Sequence, residues 1–341
     1  MIVALIKICS HATKPSAMPQ SPDCNFAETN VDSESMDMNS SRILLSGASG
    51  MLGSALRGAL RLRDAKVLQL VRREPEAENQ LAWNPAGVAP VPDPSRVEGC
   101  AAAVHLSGAN VAGRRWTPEY KAELRASRVD STRALSKLLA GLKHPPRTLL
   151  VASAIGYYGD RVEEMLDENS TPGAGFLPDL CQQWEAAARP AADAGIRVVH
   201  LRFGVVLGPR EGALARMLPI FRLGLGGKMA SGRQWISWIS IDDAVAAMLY
   251  ALDTQTLGGP LNLTTPSPVT NAEFTRALAQ QLKRPAILAV PAFAIRMAFG
   301  EMAEETLLAS ARVFPRRLQS AGFRFKQPVL AQALAAVLQT N

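Results

Sequence analysis

The chain is poor in the residues that build metal centres and disulfide frameworks. Four cysteines (Cys9, Cys24, Cys100, Cys181) and four histidines (His11, His105, His144, His200) are scattered through 341 residues. No CxxC or CxxH spacing occurs among them, which argues against a zinc site and against disulfides. Reduced thiols in a cytoplasmic protein are the simpler expectation. No apolar run approaches the roughly 18 residues a membrane-spanning helix needs. The opening MIVALIKIC has no basic flank and no small-residue cleavage site, so it makes a poor signal peptide. No basic run interleaved with aromatics marks a nucleic-acid surface.

What is present is an ordinary globular composition, 48% hydrophobic and 20% charged. The net charge is +7; residues 1–40 hold two lysines against five carboxylates, so the chain beyond them carries +10. Anionic small ligands account for that surplus at least as well as nucleic acid. Residues 1–40 are rich in Ser, Asn, Asp, Met and Pro without periodicity and are expected to be disordered. A natural start at Met36 or Met38 is a hypothesis that mass spectrometry of the native N-terminus would decide.

From residue 42 apolar strands alternate with helices: RILLS, MLGSALRGALRLR, AKVLQLV, CAAAVHLSG, a helix from Thr117-Pro118 to about Leu142, RTLLVAS, a helix from about Asp179 to Ala194, and GIRVVHLRFG. The pattern predicts an α/β fold of Rossmann type, a doubly wound parallel sheet with helices on both faces. The expected organisation is a dinucleotide-binding domain over 41–207 and a smaller mixed α/β substrate region over 208–341. Within the latter, a strand near 235–240 and a helix over 242–253 are expected to return to the first domain.

RILLS runs into GASGMLG, so a glycine-spaced turn sits between a strand and a helix. There a pyrophosphate can approach backbone N–H groups at a helix N-terminus. Gly47 permits the turn, Gly50 the approach of the phosphate, and Gly53 the packing of helix on strand. A packing turn is the rival reading. After the second strand stand Arg72 and Arg73, where an acidic residue would hold the ribose hydroxyls of NAD. Guanidinium groups suit a 2′-phosphate, so NADP(H) is expected over NAD(H).

GASGMLG, HLSGANV, SAIGYYGD and LRFGVVLG together resemble the extended short-chain dehydrogenase/reductase superfamily. More narrowly, RRWT, SRVDSTR, LPDLCQQWE, RLGLGGKMASGRQWISWISIDD and the ending RPAILAVPAFAIRMAFGEMA…VFPRRLQSAGFRF resemble its atypical "epimerase family" branch, over roughly residues 42–340. The resemblance implies cofactor contacts from Gly47, Ser49, Gly50, Met51, Leu52, Gly53, Arg72 and Arg73. It further implies contacts from Leu106, Ser107, Gly108 and Ser153, and from Gly204 and Val205 near the carboxamide. The superfamily's adenine-reading Asp has no counterpart; Trp83 and Asn84 stand in its place.

The superfamily's reaction uses a Tyr phenol and a Lys four residues later on one helix face, with a Ser or Thr at the substrate oxygen. Ser153 matches the serine position. The dyad is absent: Tyr120, Tyr157, Tyr158 and Tyr250 are followed four residues later by Leu124, Arg161, Val162 and Thr254. The helix positions that should carry it are Cys181 and Glu185. Three readings stand. Tyr157 or Tyr158 acts as acid/base from another side of the pocket in an oxidoreductase or epimerase. Alternatively, Glu185 or the Cys181 thiol acts as base in another NADP-dependent reaction. In the third, the protein binds NADP(H) without turnover, as a regulatory or redox-sensing protein.

Arg114, Trp116, Arg202 and Arg233 are candidate contacts for a small, anionic or sugar-like substrate, with surface or packing roles as their rivals. Asp242 and Asp243 read as helix caps, one of Trp235 and Trp238 as core, and Glu301 as a cap or bridge. No metal, nucleic-acid or membrane partner is expected, and either a monomer or a homodimer fits.

Overall fold

A computed structural model describes residues 41–85 and 92–339. The expectations on residues 1–40, including the start near Met36 and Met38, lie outside them. In chain order the strands are β1 Arg42–Ser46, β2 Lys66–Val71, β3 Gln80–Ala82, β4 Ala102–His105, β5 Thr148–Ala154, β6 Met165–Leu166, β7 Arg197–Phe203, β8 Val205–Leu207, β9 Gly227–Met229, β10 Trp235–Ile236, β11 Trp238–Ser240, β12 Gly259–Leu263, β13 Val269–Thr270, β14 Leu288–Val290 and β15 Arg312–Val313. The α-helices are α1 Met51–Arg61, α2 Pro94–Val97, α3 Pro118–Arg125, α4 Ser131–Ala140, α5 Phe176–Ala186, α6 Arg189–Asp193, α7 Gly212–Arg222, α8 Ile241–Asp253, α9 Asn271–Leu282, α10 Ala292–Phe299, α11 Arg316–Ser320 and α12 Leu330–Gln339.

Seven strands form one sheet in the order β12-β7-β5-β4-β1-β2-β3, every pair parallel. Side chains of successive strand residues enter different cores. Leu44 joins the cluster containing Leu124, Leu139 and Trp184 from α3, α4 and α5. Its neighbours Ile43 and Leu45 join the cluster with Leu56 of α1 and Met248 and Leu252 of α8. Both faces are therefore covered, which is why these strands read as unbroken apolar runs. The strand order reverses between β1 and β4, so a crevice opens beyond their carboxyl ends.

Several local expectations needed correction. The helix predicted from Pro118 to Leu142 is interrupted by a π-helical turn at Ala126–Asp130. The Arg128 side chain is buried there and donates to the carbonyls of Leu124 and Ala109. The helix predicted over 179–194 begins at Phe176 and divides into α5 and α6 before Pro190, which lacks the N–H a continuing helix needs. QWISWI is two strands, broken where Ser237 turns inward to donate to the Ala311 carbonyl and accept from the Val313 amide. β10 pairs with β13, and β11 pairs with β8, which belongs to the 41–207 segment but lies outside the seven-stranded sheet. The strand of the later chain that joins that sheet is β12, while α8 packs on its face. Trp238 is fully buried and Trp235 is not.

The helix α8 is capped by Ser240, whose hydroxyl accepts from the Asp243 amide. Asp243 does other work: it is buried and accepts from the amides of Lys326 and Gln327, tying the C-terminal segment down. No described helix is long and apolar enough to cross a membrane.

Candidate active site

The first turn is an open, glycine-lined cradle of backbone at the N-terminus of α1. β1 ends at Ser46, and Gly47 follows with φ +71, a conformation in which a Cβ would also lie 2.8 Å from the Leu106 carbonyl carbon. A Cβ on Gly53 would lie 2.1 Å from the Gly47 oxygen. Around Gly50 the nearest atom to a Cβ would be 3.5 Å away, so this side is open. Gly50 is the N-cap of α1 and offers no side-chain cap, and no acidic residue occupies the first turn. The Gly50 amide closes the turn on the Gly47 carbonyl, and the next amide to bond back is that of Ser54, to Gly50. The amides of Met51, Leu52 and Gly53 thus precede the intrahelical ladder, at a helix end where backbone N–H groups are left for an anion. This cradle fits a dinucleotide pyrophosphate.

The other expected cofactor contacts are spread over the carboxyl ends of β1, β2, β4 and β7. Ser49 is exposed beside Gly50, and Leu106 and Ser107 are half-buried behind Gly47, with Gly108 backed by the Arg128 guanidinium. Arg72 and Arg73 follow the end of β2 and are exposed. Arg73 pairs with Glu76, whereas Arg72 has no ion-pair partner among the described residues. Trp83 is buried and meets His105 edge-on at 5.6 Å. His105 itself is fully buried between Ser46 and Ser131, 2.6 and 3.1 Å away, and burial holds its pKa down to about 4. Gly204 crosses Ser237 closely, since a Cβ would lie 2.6 Å from the Ser237 carbonyl oxygen; Val205 begins β8.

At the carboxyl ends of β5 and β7 a polar cluster gathers. Ser153 donates to Glu185 Oε1 at 2.7 Å. Arg202 grips the same carboxylate with two bonds, Nε to Oε1 and Nη2 to Oε2, each 2.8 Å. Its third contact, from Nη1, reaches the Tyr158 hydroxyl at 3.0 Å, and that hydroxyl donates to Asn262 Oδ1 at 2.8 Å. Burial opposes the charge of Arg202, but the bonds to Glu185, that carboxylate's charge and Tyr158 outweigh it and hold the guanidinium above its ordinary pKa. The Tyr157 ring lies on this guanidinium, 3.5 Å from ring centroid to Cζ. The two tyrosines meet edge-on in a 3-10 turn, Ile155–Tyr158.

This geometry separates the sequence candidates. Tyr158 is fully buried, and desolvation raises its phenol to about 12 against the pull of Arg202. Its hydroxyl is spent inside the protein. Tyr157 is half-buried. Cys181 is buried with Sγ 3.8 Å from the Ala154 oxygen, and burial, then Glu185, push its thiol to about 12; a nucleophilic thiolate needs the opposite shift. Arg202, expected as a substrate clamp, is 3% exposed and committed to Glu185 and Tyr158. Trp116 is buried, donates to the Val111 carbonyl and packs on Phe176. Arg114 is exposed and pairs with Glu123, and Arg233 is exposed at a turn. Glu301 bridges to Lys121. Among the described residues no group of three or more His, Cys, Asp or Glu could hold a metal ion.

One feature of the site has no local sequence signal. The carboxylate of Glu305 accepts from the amides of Phe176 and Leu177 at 2.8 and 2.6 Å, so it caps α5 from more than a hundred residues away. Gly175, at φ +125, makes room; a Cβ there would lie 3.0 Å from the Glu305 carboxylate. The C-terminal segment therefore fixes the helix that carries Cys181 and Glu185.

Residues 43–263 match the model of the NAD dependent epimerase/dehydratase family. The chain belongs to that family. Residues 290–337, which include Glu305, match a domain of unknown function. An epimerase family protein of Mycobacterium bovis is 46% identical over 292 residues, covering 86% of this chain and 96% of its own length. The human epimerase family protein SDR39U1 is 35% identical over 300 residues, with 87% and 99% covered. A crystal structure of the human protein with NADPH superposes at TM-score 0.81 and 33% identity, covering 88% of this chain and all of that one. The family accounts for the Rossmann-type sheet and the glycine cradle. It leaves open which substrate the cleft takes and which residues act on it.

Proposed function

We propose that this chain is an NADP(H)-dependent oxidoreductase or epimerase acting on a small carbonyl or hydroxyl substrate, anionic or sugar-like, with Ser153 and Glu185 in place of the tyrosine–lysine pair. Support for NADP(H) over NAD(H) comes from Arg72, exposed and uncommitted to a carboxylate where a 2′-phosphate would stand, and from the NADPH bound to the human relative. The bound dinucleotide would supply or take the hydride.

The observation that carries the reading is the Ser153–Glu185 bond. With its proton aimed at Glu185, the Ser153 oxygen keeps its lone pairs for a substrate hydroxyl. In the oxidising direction the substrate O–H proton passes to Ser153 Oγ, and the Ser153 proton passes to Glu185 Oε1. In the reducing direction the same two protons move back. Arg202 stays protonated throughout and fixes the carboxylate by its two-bond fork. An epimerase would run the two directions in turn on opposite faces of one carbon.

Tyr157 supports a second reading, because its ring is half-buried and its hydroxyl has no hydrogen-bond partner among the described residues. Single-turnover hydride transfer, followed by nicotinamide absorbance over a panel of carbonyl compounds and nucleotide sugars, separates the readings. Ser153→Ala should lower the rate by roughly 10²–10⁴, the usual range for a lost proton-transfer group, with the NADPH dissociation constant unchanged. A loss in Tyr157→Phe with Ser153→Ala unaffected transfers the role to the tyrosine. Tight NADPH binding with no transfer across the panel leaves a binding protein without turnover.

A further inference from the structure

Away from the dinucleotide cradle, a groove of about 470 Å³ runs between α9 and the β9–β14 pair. That volume suits a small ligand. Lys228, Thr275, Arg276, Gln280, Lys283 and Arg284 contribute to its walls, and no Asp or Glu does. None of the four cations has an ion-pair partner among the described residues. Glu273, one turn before Arg276, accepts from the amide and hydroxyl of Thr270 through Oε2; the Arg276 charge adds to those bonds in holding its carboxyl below the usual range, with no direct ion pair formed. The Thr275 residue is 4% exposed and its hydroxyl has no hydrogen-bond partner.

A simpler account covers only part of this. Lys283 and Arg284 lie at the C-terminus of α9, where cations offset the helix dipole. Lys228 belongs to a different element, and Arg276 lies mid-helix, so neither is explained that way. Lys283 also takes φ +53 at the helix end, a conformation that normally selects glycine. A glycine there would leave the dipole's negative end bare toward the groove. The lysine reverses the sign at that point, so cations stand on the α9 wall, at its C-terminal end and on β9, while Ala286, Ile287 and Leu288 make the remaining side apolar.

We propose that this groove binds a small molecule bearing a di- or triphosphate, at a site separate from the dinucleotide cradle. Four cations, three from α9 and its C-terminal end and one from β9, match the charge of such a group, and the groove is open enough for the remainder of the molecule to extend into solvent. Charge-assisted bonds from arginine forks supply the hold.

The test is isothermal titration of the full-length protein with inorganic tripolyphosphate, which lacks the adenosine that the cradle would read. The expected result is saturable one-to-one binding that persists when NADPH is present in excess. Arg276→Ala/Arg284→Ala should weaken it about tenfold to a hundredfold. Arg61→Ala/Lys66→Ala removes the same charge from exposed positions on α1 and β2 and should leave it unchanged. Lys228→Glu, on the opposite wall, guards against a folding defect in the first variant and should abolish binding at an unaltered melting temperature. Equal weakening in both double variants, loss of binding when NADPH is added, or no saturable isotherm with the wild-type protein would each overturn the proposal. Repeating the titration with ATP beside excess NADPH distinguishes the two sources. Tighter binding than tripolyphosphate assigns the groove to an organic phosphate ester, and equal binding assigns it to the inorganic polyanion.

Discussion

Removing Glu185 should expose how much of the site rests on one ion pair. The Arg202 and Glu185 side chains are 4% and 14% exposed, and the guanidinium spends two bonds on the carboxylate. Glu185→Ala strands a buried cation, a change that costs about 3–5 kcal/mol. For a chain of this size that lowers the melting temperature by roughly 5–8 °C. Arg202→Met strands the carboxylate and should cost a similar amount, with the added loss of the donor to Tyr158. The double variant leaves neither charge, so its cost should fall short of the sum by at least about 1 kcal/mol. Thermal or urea unfolding of the four proteins without nucleotide measures this coupling. Additivity within about 0.5 kcal/mol would refute the idea that Arg202 serves to hold Glu185.

Other outcomes follow from the same geometry. Gly53→Ala must push a methyl against the Gly47 carbonyl, 2.1 Å from the ideal Cβ, so the cradle opens; titration should show NADPH binding lost and stability lowered by about 1–3 kcal/mol. Arg72→Asp should reverse the preference between NADP and NAD, read from the two dissociation constants; an unchanged ratio removes Arg72 from the 2′-phosphate. His105 is neutral in the fold with its pKa near 4, below the ordinary 6.5. A depressed pKa means stability is full above 6.5 and is lost as pH falls from there toward 4, by up to about 3 kcal/mol; His105→Gln should flatten that part of a melting-temperature profile. Glu305→Ala should uncap α5 and cost about 1 kcal/mol, with the Ser153-dependent rate falling as Glu185 loses its fixed place; a melting shift with an unaltered rate would make Glu305 structural only.

How much of this the sequence revealed depends on the range of each interaction. The β1–α1 turn was legible because its glycines fall within seven residues between a strand and a helix, with Gly47 at positive φ and Gly53 against the Gly47 carbonyl. The parallel sheet was legible because strands buried on both faces carry unbroken apolar runs. The π-helical turn at Ala126–Asp130 was hidden: SRVDSTR has ordinary helical composition, and the interruption is fixed by Arg128 reaching the Ala109 carbonyl in a distant loop. Ser153 and Glu185 could each be singled out, but their bond, and the Arg202 fork that makes it a unit, depend on β5, α5 and β7 lying side by side. The fate of Tyr158 turned on Asn262, and the capping of α5 on Glu305, both contacts between residues more than a hundred apart. Such pairs leave no mark in local spacing.

The measurement closest to the central claim is a crystal structure with NADPH bound. The pyrophosphate should lie on the amides of Met51 and Leu52, the 2′-phosphate at Arg72, and nicotinamide C4 should face Ser153 Oγ across a gap wide enough for one carbonyl group, roughly 5–6 Å. A nicotinamide ring ordered away from β5, with Ser153 and Glu185 closed off from it, would contradict the assignment of these two residues to the reaction.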